Sequence, residues 1–157
     1  MIYPQPATRI LTILLSPPLG ATAEGMKERI EELISEMKES KQIDFKRDWK
    51  LLTIWVGNAD ICMSCFDPDF APRNFIKQIS KSLEKIQEKI PRIFVNLVQV
   101  FDVTKLIWLG GPYCNAFHKK TCPCANSGPA RRALASRTAK EYATLLNRLV
   151  KSPRSVN

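Results

Sequence analysis

Hydrophobic and polar positions follow two periods along this chain, and the switches between them lay out an alternating series of strands and helices. Ile10 to Leu15 is a short apolar run closed by Ser16-Pro17-Pro18, which predicts a buried strand followed by a loop. From Ala23 to Lys38, Met26, Ile30, Leu33, Ile34 and Met37 recur at helical spacing with charges opposite, so an amphipathic helix is predicted. Lys50 to Val56 predicts the central strand and Cys65 to Ala71 a loop. Pro72 then falls near the start of a helix, where its missing N–H does little harm. Ile76, Ile79, Leu83, Ile86 and Ile90 step by three and four, giving one buried stripe that Pro91 ends. Ile93 to Val100 is another continuous apolar run, and Gly110-Gly111-Pro112 marks a loop leading to the cysteines. A last helix from Arg131 to Val150 presents Leu134, Tyr142, Leu145, Leu146 and Leu149. Strands alternating with helices predict an α/β fold on a parallel sheet. There is no internal repeat.

The segment that points to chemistry is Trp49 to Cys65, a strand that stops at a Gly57-Asn58-Ala59-Asp60 turn and runs into Cys62-x-x-Cys65. Open α/β sheets bind ligands in the crevice beyond the carboxyl ends of their strands. The run Trp49-Lys50-Leu51-Leu52-Thr53-Ile54-Trp55-Val56-Gly57-Asn58-Ala59-Asp60-Ile61-Cys62 resembles the third conserved block of the phospholipase B family, membrane-associated esterases within the GDSL (SGNH) hydrolases. Gly20-Ala21-Thr22-Ala23 with its following helix, and Ile43-Asp44-Phe45, look like the second-block glycine region. Pro91 to Val98 and the cluster Cys114, Cys122, Cys124 look like the next strand and the family's cysteine-rich loop. The similarity runs from about Gly20 to Tyr142, a middle slice of such a domain. It implies an incomplete three-layer α/β/α parallel sheet of the SGNH, flavodoxin-like type.

The resemblance also implies what is missing. The family nucleophile is the serine of a Gly-Asp-Ser-Leu block and its general base the histidine of a late Asp-x-x-His; this sequence has no Gly-Asp-Ser and only one histidine, His118. His118 falls early, inside the cysteine-rich loop beside Lys119 and Lys120, and is expected to be solvated. Ester hydrolysis passes through an oxyanion that needs preorganised N–H donors. By resemblance Gly20, Asn58 and Asp60 are the remnants of that site, and Ala59 stands where the family has asparagine. On an extended strand end a one-residue offset reverses the side chain, so Asn58 is expected to point away unless the turn rearranges. One lost donor costs roughly 10²–10³ in rate, about 3 kcal/mol. The plain alternative is that Gly57 and Asn58 only form a tight turn.

Composition refines this picture modestly. A chain of 157 residues with 45% hydrophobic content suits one globular domain. The expected organisation is a divergent segment 1–19, a partial hydrolase-like domain 20–150 and a disordered basic tail 151–157. Arg9, the apolar run after it and Ala21-Thr22-Ala23 superficially suggest a signal peptide. The run is short for one, and two prolines follow it. No stretch approaches a membrane-spanning length. The formal charge is +9, and after Asn126 seven basic residues face Glu141 alone. That tail would suit anionic head groups or phosphates, or be a solvated face; no nucleic-acid motif accompanies it, and no nucleic-acid partner is expected.

Five cysteines suit disulfide-stapled loops and leave one thiol without an internal mate. Cys62 with Cys65, and pairs among Cys114, Cys122 and Cys124, are the candidate bridges, although sequence fixes no connectivity. Cys62, Cys65, Cys122 and Cys124 around zinc is the rival, weakened by the Cys-x-Cys spacing of the second pair. No cofactor or metal is expected. Two function classes follow. One is a phospholipase B-like esterase piece, acting on phospholipid and lysophospholipid esters in the complete domain and inactive alone; the other is a degenerate relative that binds membrane or protein through its basic C-terminal helix. An extracellular or membrane-associated setting is implied by resemblance only.

Overall fold

The computed structural model describes residues 10–15 and 21–152. Gly20, most of the signal-like N-terminal segment, and the end of the basic tail from Pro153 lie outside the described residues. Three strands, β1 (Ile10–Leu15), β2 (Trp49–Ile54) and β3 (Ile93–Leu97), form one parallel sheet in the order β1-β2-β3. Ile10 pairs with Trp49, and Lys50 with Ile93. The helices between them are α1 (Met26–Glu39), the short α2 (Asn58–Met63) and α3 (Pro72–Lys89). After β3 come a 3-10 helix (Val103–Trp108), α4 (Pro112–Thr121), α5 (Pro123–Asn126) and α6 (Pro129–Lys151).

The sequence period decides which face each element buries. In β2, Lys50, Leu52 and Ile54 alternate inward, and Leu52 and Ile54 join Ile30, Leu33, Ile34 and Met37 of α1 and Ile79, Leu83 and Ile86 of α3 in one core. Lys50 is completely buried; its Nζ donates to the carbonyls of Phe45 and Asp48 at 2.7 and 2.9 Å and lies 5.2 Å from the Phe45 ring centroid. Burial pushes its pKa down. Those carbonyls supply the partners an interior ammonium requires.

The opposite sheet face is largely open. Phe94 is 61% exposed, Asn96 is exposed, and the Trp49 and Phe94 rings stack at 5.0 Å across neighbouring strands. The chain therefore has a mixed α/β architecture with a small parallel sheet.

Two expectations change here. The predicted cysteine loop is helical, forming α4 and α5. The apolar run from Ile93 to Val100 is strand only to Leu97; the Val98 N–H still donates to the Ile54 carbonyl, and Val100 turns into the core. In α6 the burial stripe is Ala135, Thr138, Ala139, Tyr142 and Leu146, while Leu134 is exposed. Small residues let α6 approach closely, and the Tyr142 ring stacks on Phe75 of α3 at 3.8 Å.

Candidate functional site

The rim beyond the carboxyl ends of the strands is built around Gly57. Its φ of +115° is left-handed, and a Cβ there would stand 2.7 Å from Val100 Cγ1 and 2.9 Å from Phe75 Cε2. Only glycine avoids both problems. Gly57→Ala should cost about 2 kcal/mol of stability, read as a lower midpoint in urea unfolding.

The chain leaves Gly57 directly into α2, so the flip expected for an extended strand end does not occur. Successive side chains turn by the helical step instead. Asn58 and Ala59 consequently both line one cavity, and Asp60 faces elsewhere.

Asp60 faces the segment that follows Gly20. Both its carboxylate oxygens accept from the Ala23 N–H, at 3.0 and 3.2 Å. Ala21 and Thr22 in turn share a small apolar crevice with Ile54, Trp55 and Val56 at the end of β2. Residues 21–23 and the Gly57 turn thus meet at one rim, while Gly20 itself is outside the described residues. Burial pushes the Asp60 carboxyl from its ordinary 3.8 up to about 6, against the opposing pull of the Ala23 hydrogen bond. Tyr142, whose hydroxyl donates to the Phe70 carbonyl at 2.6 Å, is held well above the usual phenol range, first by burial and then by Asp60.

The cavity beside Asn58 and Ala59 measures about 480 Å³ and is walled mainly by Val103, Leu106, Ile107 and Phe117. That volume is within the range of small-molecule sites. His118 also lines it, so α4 turns this side chain toward the cavity rather than leaving it solvated. Asn58 Oδ1 and His118 Nδ1 are both shielded from solvent and have no hydrogen-bond partner among the described residues. Such atoms ask for a ligand or water partner.

A nucleophile with its base is not assembled among the described residues. The hydroxyls of Ser64, Ser127 and Ser136 donate to the Ile61 carbonyl, the Pro123 carbonyl and Asp102 Oδ2. Thr121, on the cavity wall, donates to the Phe117 carbonyl. The arrangement offers an apolar enclosure with amide and imidazole groups, without an activated hydroxyl.

Two disulfides form, Cys62–Cys122 on the cavity wall and Cys65–Cys124 behind it in the core, leaving Cys114 free and exposed. This corrects both sequence-level candidates. Cys62 and Cys65 do not bridge each other, because α2 packs beside α5 and sets Cys62, within α2, against Cys122 at the start of α5, and Cys65, just past α2, against Cys124 within α5. The same pairing consumes the four thiolates that zinc would need. Among the described residues no cluster of three or more His, Cys, Asp or Glu could hold a metal, and no helix is long and apolar enough to cross a membrane.

The sequence singled out Asn58 and Asp60, while His118 on the cavity wall, the Asp60–Ala23 tie and the shared cavity were missed. The one signal for the tie was a carboxylate placed straight after a glycine turn.

Comparison with known proteins gives the context for this rim. "Phospholipase B1, membrane-associated" of Rattus norvegicus is 34% identical over 108 residues, covering 67% of this chain and 7% of that protein. The Mus musculus protein of the same name is 38% identical over 88 residues, or 55% of this chain and 6% of its own length. That of Homo sapiens is 34% identical over 110 residues, or 67% and 8%. The chain thus spans less than a tenth of the length of these relatives. No solved structure matches it significantly. Residues 19–155 match the family model described as GDSL-like Lipase/Acylhydrolase, and the chain therefore belongs to that family of lipolytic hydrolases.

Proposed function

We propose that this chain is the central part of a phospholipase B-type acyl-ester hydrolase domain and that it does not turn over esters by itself. In the complete domain the reaction would be hydrolysis of fatty-acyl esters of phospholipids and lysophospholipids through an acyl-serine. The serine and the histidine of that chemistry would come from residues other than these 157. Within residues 20–150, Gly20 and Asn58 would be what remains of the oxyanion site. Asp60 would hold the two halves of the rim together rather than touch substrate. The open sheet face bearing Trp49 and Phe94 would take a further helical layer, completing a three-layer arrangement.

The observation that supports this reading is the Asp60 bridge to Ala23. It ties residue 23 to the turn after Gly57, the segments that resemble the family's second and third blocks, beside an apolar cavity on whose wall the described residues present no activated hydroxyl. Substrate is a phospholipid in this reading because the relatives are named phospholipases and the cavity wall is apolar.

The test is fatty-acid release from phosphatidylcholine and lysophosphatidylcholine by the purified, oxidised chain. Release should stay at the level without protein. Turnover abolished by His118→Ala would overturn the reading, since it would make the cavity histidine a working base.

A further inference from the structure

The geometry points to a lipid-docking face formed by the end of the 3-10 helix, the Gly110-Gly111 link and α4, which would lay Leu109, Tyr113 and Phe117 into an anionic bilayer surface. α4 contains ten residues and none of them is buried. Tyr113 is 86% exposed, Leu109 61% and Phe117 49%. A helix with no fully buried residue gains little from packing within its own domain, and large apolar side chains held in water on it call for a partner. Tyr113, Phe117 and Lys120 are spaced four and three apart, so the two rings and an ammonium share one side.

Charge selects the partner. Between Asp102 and Glu141 the sequence has no acidic residue, while Lys105, Lys119 and Lys120 flank the apolar side chains and Arg131 stacks over the Phe66 ring at 4.4 Å. Aromatic and aliphatic side chains bordered by lysines are the composition of an interfacial helix that rests in the head-group layer. Each cation near an anionic leaflet adds to the attraction, and salt screens it.

Position supports the same partner. Leu106 and Phe117 are exposed and also line the 480 Å³ cavity, so the face borders the cavity entrance. A bilayer seated there would meet that entrance directly. The choice of a lipid surface rests partly on the lipid-ester reading above, but the two are measured separately: binding here, turnover there.

The surface differs from the one charge alone suggested, the basic helix α6. Arg137 and Lys140 are exposed on that helix without a comparable apolar cluster beside them.

The experiment is flotation of the oxidised chain with vesicles of phosphatidylcholine alone and of phosphatidylcholine mixed with phosphatidylserine. The chain should float with the mixed vesicles and detach as salt is raised. Tyr113→Ser with Phe117→Ser should weaken that binding by roughly tenfold or more, as should Lys119→Glu with Lys120→Glu. Arg137→Glu with Lys140→Glu should retain most of it. All these positions are exposed, and unchanged circular dichroism confirms that each variant is folded. The proposal is overturned if the chain ignores the mixed vesicles. It is equally overturned if binding survives the α4 substitutions or is lost with the α6 pair alone, which would make α6 the membrane contact.

Discussion

Reduction of both disulfides should remove about 6 kcal/mol of stability, enough to unfold most of the chain at room temperature. Cys62–Cys122 and Cys65–Cys124 join residues 60 and 59 apart. Closing one loop of that length restricts the unfolded chain by about 4 kcal/mol. The second bridge then closes only the small ring between neighbouring cysteines and adds about 2 kcal/mol. The bridges are therefore not independent. Replacing Cys62 and Cys122 by serine, or Cys65 and Cys124, should each cost only the smaller amount, and losing all four should cost more than the two pairs summed. Urea unfolding followed by Trp49 and Trp55 fluorescence, with and without reductant, measures each term. Equal midpoints for oxidised and reduced protein would contradict this account.

Acidification should strengthen the rim that Asp60 holds. Its carboxyl titrates near 3.8 when exposed and near 6 when folded, so between those values the folded state binds the extra proton. Stability from this group is complete below the lower value and is lost as pH rises through the upper one, by about 3 kcal/mol in all. Two carboxylates run the other way. The Lys85 hydrogen bond holds Glu31 below its usual range. Burial alone would raise Asp102, but hydrogen bonds from Ser136 and Thr104 bring it below as well. Both persist when Asp60 alone is changed, so the comparison isolates one group. Asp60→Asn keeps an acceptor for Ala23 N–H and cannot ionise. Its stability relative to the parent should therefore rise by about 2 kcal/mol from pH 4 to pH 7, the remainder lying below pH 4. Parallel curves for the two proteins, measured by urea unfolding across this range, would show that Asp60 does not sit in a dry site.

What could be read from sequence was whatever has a local period. The stripe of Met26, Ile30, Leu33, Ile34 and Met37 placed α1, and Ile79, Leu83 and Ile86 placed α3, because helical spacing is a property of neighbours. The strands β1 and β2 followed from their apolar runs and from the turns that end them. α4 was not legible, since its residues make no buried stripe. Nor were the cross-pairings of the cysteines, which depend on α2 and α5 lying side by side. Lys50 also escaped notice: a lysine in a strand reads as solvent-facing until Phe45 and Asp48 are seen to offer it carbonyls. At the candidate site, the residue types pointed to the Gly57 turn, but the orientation of Asn58 depended on where helix α2 begins. The left-handed Gly57 sets that, through contacts with Val100 and Phe75 far along the chain.

The central claim is that this rim belongs to an ester hydrolase whose attacking group is absent from these residues. Incubation of the purified, oxidised chain with a fluorophosphonate probe, followed by intact-mass and peptide mass spectrometry, tests it most directly. The account predicts an unmodified mass and no labelled peptide. A covalent adduct on any serine, Ser127 and Ser136 included, would contradict it.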